Sequence, residues 1–270
     1  MVSSVKLSDA IKRKRDLQDA ESDIDISSTD SEDESDKNEE EQEVVNIDFD
    51  FFNGNKNVDF HAFKNLLRQL LGPQESNKLQ LSALADLVLD SPTTTIKTDG
   101  QESDPYCFLS FIDYRSHRDS EYARYLGTLD PRIGNFLKTI DNSNQTCALV
   151  LSERLINMPP EIIAPIYNIT LEDASNSLGK GKHYDYYVMV SRKFEVNVEA
   201  DDDDKPGQSR KRVKSSEIDY FHEEDRFLER NAKIHFDSES RKGLVSSYVI
   251  IEHASLVKSI QEVASEVATW

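Results

Sequence analysis

Apolar and polar residues alternate at two different spacings along this chain, and the changes of spacing mark its elements. In "VVNIDFDFF" (44–52), Val45, Ile47, Phe49 and Phe51 alternate with Asn46, Asp48 and Asp50. Period-two alternation predicts a half-buried first strand with its acids on the wet face, and "FNGN" after it is a turn signal. "VDFHAFKNLLRQLLGP" then places Phe60, Phe63, Leu67, Leu70 and Leu71 at helical spacing, stopped by Gly72-Pro73. A second helix is predicted in "LQLSALADLVLD", and strands in "TTTIKT" and "DPYCFLSFIDYR". Residues 119–140 read as two short helices broken at Asp130-Pro131.

The nearly continuous apolar run "QTCALVLS" predicts a central strand covered on both faces. "PPEIIAPIYNITLEDAS" opens with prolines where a missing N–H costs little, and Pro165 is expected to kink this helix. "YDYYVMVSRKFEV" carries the strongest strand signal. Strands in "EIDYF", "AKIHFD" and "SSYVIIEHA" are interleaved with a helix in "HEEDRFLERNA", and "SLVKSIQEVASEVA" closes the chain as an amphipathic helix. Irregular alternation of strands and helices predicts a mixed α/β (α+β) single domain over 44–270 with a central mixed sheet. Residues 199–216, "EADDDDKPGQSRKRVKSS", form a flexible charged loop within it.

Charge changes the picture at the N-terminus. The 270 residues carry a net charge of −19. Residues 21–43 hold twelve acids and one base, Lys37, so −11 of that total sits there and −8 remains for the rest. Like-charge repulsion with little apolar area to bury predicts a disordered acidic arm over 1–43. Its acids Asp30, Glu32, Asp33, Glu34, Asp36, Glu39, Glu40 and Glu41 suit a basic partner protein. The same imbalance argues against direct binding of nucleic acid, whose affinity comes largely from Lys and Arg on phosphates. No window approaches 18 apolar residues, so no membrane insertion is expected. Two basic clusters, Lys12-Arg13-Lys14-Arg15 and Arg210-Lys211-Arg212 with Lys214, suit an import receptor that reads extended peptide; the plainer reading is charge on a solvated loop. Ser27, Thr29, Ser31 and Ser35 lie among acids in the manner of acidophilic kinase sites.

Candidate chemistry is sparse. Six scattered histidines form no HxxxH or HExxH, and Cys107 and Cys147 sit in apolar runs as buried thiols, so no metal site or disulfide is assigned. Asp48 and Asp50 share a wet strand face, where a catalytic pair would need unlike environments. Ser152 lacks the glycines of a nucleophile elbow. "HEED" (222–225) reads as acids at the positive end of a helix rather than an acid–base cluster. "LGKGK" (178–182) lies before a strand instead of a helix, so a helix cap and a turn explain it better than a phosphate cradle. No catalytic or cofactor-binding residue is assigned, and no cofactor is expected.

The order of five stretches, "NIDFDFF", "SDPYCFLSFIDY", "LVLSERLINMPPEIIAPIY", "YDYYVMVSRKFE" and "YFHEEDRFLERNA", resembles the BCCIP family of eukaryotic nuclear proteins over roughly 44–260. The resemblance implies a fold similar to the GNAT acetyltransferases without known acetyltransferase activity. It implies a shuttling protein of nucleus and cytoplasm, acting with transport receptors in nuclear export, including export of a phosphatidylinositol 4-phosphate 5-kinase, a lipid kinase linked to actin organisation and vesicle traffic. It also implies chaperoning of a basic large-subunit ribosomal protein. The alternative is a divergent acetyltransferase with coenzyme A between splayed strands near "CALVLS" and "YYVMV". The Gly-x-Gly here, Gly179 and Gly181, follows Asn176 where that family's loop has Arg or Gln, and it precedes a strand.

Overall fold

The computed structural model describes residues 47–198 and 215–269. Eight strands form one sheet among these residues: β1 (Asp50–Asn53), β2 (Thr93–Lys97), β3 (Cys107–Asp113), β4 (Cys147–Arg154), β5 (Tyr186–Val198), β6 (Ser215–Tyr220), β7 (Ile234–Asp237) and β8 (Leu244–Glu252). Their order is β1-β2-β3-β4-β5-β8-β7, with β6 on the far half of β5. Only the central β4–β5 pair is parallel; the other pairs are antiparallel. A parallel pair needs a crossover, and α6 (Ile163–Leu178) supplies it.

Both faces of the sheet are buried. On β4, Cys147, Leu149 and Leu151 join one core while Ala148 and Val150 join the other. Tyr186, Val188 and Val190 of β5 divide in the same way from Tyr187 and Met189. The first core is covered by α1 (Phe60–Ser76), α2 (Leu81–Leu89), α4 (Glu121–Leu129) and α5 (Pro131–Asp141). The second is covered by α6, α7 (Glu224–Arg230) and α8 (His253–Val267). A sheet between two helical layers explains why "CALVL" and "YYVMV" read as continuous apolar runs: alternate residues serve opposite cores. The short α3 (Tyr114–His117) continues from β3, with Asp113 accepting from the Ser116 N–H.

Local chemistry sets the element ends. Ser120 caps α4 through the Ala123 N–H, and Asp130 caps α5 through the Arg132 N–H with Pro131 in first position. Gly72, at φ 71°, breaks α1, and a further turn runs to Ser76. Pro165 does not kink α6. It is the third residue of that helix, among the first N–H groups that have no intrahelical acceptor. Strand β1 starts at Asp50, five residues later than the alternation suggests, and Ile47 stands 51% exposed. Asp48 is exposed, but Asp50 is half-buried with Oδ1 out of solvent and unpartnered, so this face is only partly wet. Tyr184, Tyr186 and Tyr187 are core residues. The free thiols of Cys107 and Cys147 are buried on opposite faces of the sheet, and desolvation pushes both pKa values up. No described helix is long and apolar enough to cross a membrane.

Candidate functional site

The structure describes none of the acids of residues 30–41 and neither basic cluster. It does locate where they attach. The acidic segment leads into Ile47 beside β1, and residues 199–214 join Val198 to Ser215, which are opposite one another in the β5–β6 ladder.

A charge cluster that sequence reasoning missed occupies the middle of the sheet. The β4–β5 ladder runs from Cys147↔Tyr186 to Val150↔Met189. Beyond it the strands meet through side chains: Arg192 donates to Glu153 from Nε at 2.9 Å and from Nη2 at 3.3 Å. From the turn before α7, His222 donates from Nε2 to Glu153 Oε1 at 2.8 Å. From α1, Gln69 donates to the same oxygen and to the Arg154 carbonyl, each at 3.1 Å. Arg154 pairs with Glu224. Burial works against charge on Glu153, but His222 and Arg192 outweigh it and hold the carboxyl below its usual range. Asp225 is the opposite case. Burial, then the neighbouring Glu224 and Glu229 carboxylates, push its pKa well up.

Five buried polar atoms in this cluster lack hydrogen-bond partners: Arg154 Nε, Ser191 Oγ, His222 Nδ1, Glu224 Oε2 and Asp225 Oδ2. The void that Ser191, His222, Glu224 and Asp225 help to line measures about 20 Å³, room for roughly one water. Small-molecule sites occupy about 300–1,000 Å³. Where the strands part, side chains from α7 and the turn before it line this void.

"HEED" does lie at a helix N-terminus, with Glu224 and Asp225 in the first turn of α7, but both acids are buried rather than solvated. Ser152 is inside β4, not at its end. Gly179 caps α6 at φ 109° and accepts from the Lys182 N–H in a turn, as expected for "LGKGK". The fold also assembles Glu229, His235 and Asp237, whose ligand atoms lie within 4.8 Å of one another. Lys193 already supplies a cation there, 2.6 Å from Glu229 and 3.0 Å from Asp237. The ammonium helps to hold the Asp237 carboxyl below its usual range against the effect of burial. His235 and Asp237 sit two apart on β7 and Glu229 on α7, so no short motif announces the group.

Two open surface clefts remain of interest. One of about 610 Å³ lies between the end of α1, the α4–α5 junction and the β7–β8 hairpin, and it carries both signs of charge, including a Glu75–Arg241 ion pair. The other, of about 430 Å³, is lined by Ile47, Asp48, Phe49, Thr98, Asp99, Tyr106, Asn157 and Met158.

Known proteins share this framework. A crystal structure of BCP1 from Saccharomyces cerevisiae superposes with a TM-score of 0.74 at 59% identity, covering 87% of this chain and 96% of that one. Protein BCP1 of Eremothecium gossypii is 61% identical over the whole of both chains. Its Saccharomyces cerevisiae counterpart is 61% identical over 81% of each. The BCCIP family matches residues 44–228, which include the whole of the β4–β5 divergence and its buried charges. With whole-length relatives and a superposable fold agreeing, the chain belongs to the BCCIP family.

Proposed function

We propose that this BCCIP-family chain is a non-enzymatic escort that shuttles between nucleus and cytoplasm and shields a basic client protein. The observation that carries the reading is charge segregation: −11 of the net −19 lies within residues 21–43, beside a body of much lower charge density. A chain segment rich in carboxylates covers Lys and Arg patches through many screened contacts, which exchange readily for RNA. Clients of this chemistry include a basic large-subunit ribosomal protein, and a phosphatidylinositol 4-phosphate 5-kinase is a second cargo. Lys12–Arg15 and Arg210–Lys214 are the segments offered to nuclear transport receptors.

Support for the GNAT-like architecture comes from the single parallel pair, β4–β5, which parts in mid-sheet. Against the divergent acetyltransferase stands the filling of that divergence by His222, Glu224 and Asp225. The test is a binding titration of the full chain with a purified basic ribosomal protein, next to a variant whose acids between 30 and 41 are changed to amides. The native chain is expected to lose roughly tenfold in affinity between about 50 and 300 mM salt as the screening length shrinks. Equal affinity of both proteins at low salt overturns the arm's role. A rise in melting temperature with millimolar acetyl-CoA favours the enzyme instead.

A further inference from the structure

A third open cleft, of about 370 Å³, runs along α2 and faces the α3–α4 turn. Seven of the nine α2 residues are apolar, a composition that suits a helix covered on every side. The core takes Leu81, Leu84, Ala85, Val88 and Leu89. Ala83 and Leu87 are left lining the cleft, Ala83 exposed and Leu87 half-buried, with buried Tyr122 in the lining contributed by α4. Charge in the cleft has one dominant sign. Asp86, Asp90 and Glu121 line it with His117, and no Lys or Arg does. Lys56 pairs with Asp90, and Glu121 accepts from the Gln80 N–H at 3.3 Å. Asp86 is exposed and makes no ion pair among the described residues. Asp86 and Asp90 also stand at the C-terminal end of α2, whose last turn carries no base. The helix dipole makes that end negative, so both acids occupy places where helix stability favours a cation.

We propose that this cleft is a docking site for a basic protein segment. A Lys or Arg stem lies along Ala83, Leu87 and Tyr122, while its charged head meets Asp86 and the negative end of α2. The inference rests on the escort reading above and gives the client a place on the folded domain. Charge selects the occupant. Nucleic acid meets Asp86, Asp90 and Glu121 as like charges, and a second copy of this chain brings a net −19 against them. An uncharged apolar segment covers Leu87 but leaves Asp86 and the helix end without counter-charge. A basic segment answers both, through its stem and through its head.

The experiment titrates the full chain at low salt with three dye-labelled peptides, reading anisotropy. They are KKAKKAKK, the same peptide with diaminopropionate in place of each lysine, and EEAEEAEE. Diaminopropionate keeps the cation and shortens the stem. KKAKKAKK is expected to bind most tightly and the short-stem peptide more weakly. Ala83→Lys puts a cation into the cleft and is expected to weaken KKAKKAKK about tenfold. Asp86→Asn is expected to weaken it several-fold, while Glu266→Gln on α8, which removes the same charge elsewhere, leaves it unchanged. All three substituted side chains are exposed, and an unaltered unfolding midpoint shows that the fold is kept. The acids of 21–43 are the same in every variant, so differences between variants report the cleft. The proposal is overturned if Ala83→Lys and Asp86→Asn bind KKAKKAKK as the native chain does, a result that leaves the arm-based reading standing. It is also overturned if the short-stem peptide binds as tightly, if EEAEEAEE competes equally, or if sedimentation shows a dimer that Ala83→Lys dissociates. Failure of both basic peptides to bind the native chain removes the escort reading as well.

Discussion

Glu153 and Asp225 share one buried cluster and respond to pH with opposite signs. Glu153 has a depressed pKa, so its contribution to stability is present above the ordinary carboxylate range and lost as pH falls through its folded value. Asp225 has a raised pKa, so the folded state favours its protonated form, and stability is lost as pH rises from the ordinary 3.8 towards the folded value. Each pH unit inside that window removes up to about 1.4 kcal/mol. Asp225→Asn cannot ionise. The variant is therefore expected to match the native protein near pH 4 and to gain about 1–3 kcal/mol at pH 7, read from urea midpoints at the two pH values. A midpoint difference independent of pH would show that Asp225 is ionised in the fold. Neither role is legible locally. "LVLSERL" looks like a strand ending at its charges, because only partners 39 or more residues distant (among them Arg192 on β5, His222 before α7 and Glu224 on it) make Glu153 and Arg154 tolerable inside.

At the element scale, α4 and α5 cross where two glycines face each other. A Cβ on Gly134 would sit 2.5 Å from the Gly127 carbonyl oxygen. Helix propensity alone favours Gly134→Ala by roughly 1 kcal/mol, yet the contact is with backbone, which cannot swing away. Sterics win, and the substitution is expected to destabilise by about 1–3 kcal/mol, measured by thermal or urea unfolding. Most element positions were readable because burial leaves a pattern: continuous apolar runs along β4 and β5, which have a core on each face, and a spacing nearer four along α1 and α8. The reading failed where tertiary packing supplies the reason. The alternation from Val45 does not define the start of β1, since β2 offers partners only to Asp50–Asn53. Pro165 looked like a kink because the 3-10 turn at Pro160–Ile162, which delays the start of α6, leaves no mark in the residue pattern. The cleft beside β1 was not legible: Ile47, Asp99 and Met158 come from three separate segments, which only the fold brings together.

For the whole molecule, β5 is the described strand with the most neighbours: β4, β6 and β8. Its first half is bonded to β4 and β8, and its second to β8 and β6. The chain leaves β5 at Val198 and re-enters the sheet at Ser215, directly opposite. A break in the covalent chain between those residues would thus sever no ladder, and each piece would keep a full complement of bonding partners on the other. Two polypeptides divided within 199–214 and co-expressed are expected to co-purify as one particle and to melt in a single transition. If so, evolution can lengthen, shorten or recode that stretch without renegotiating the fold, since the sheet is closed behind it like a seam already sewn.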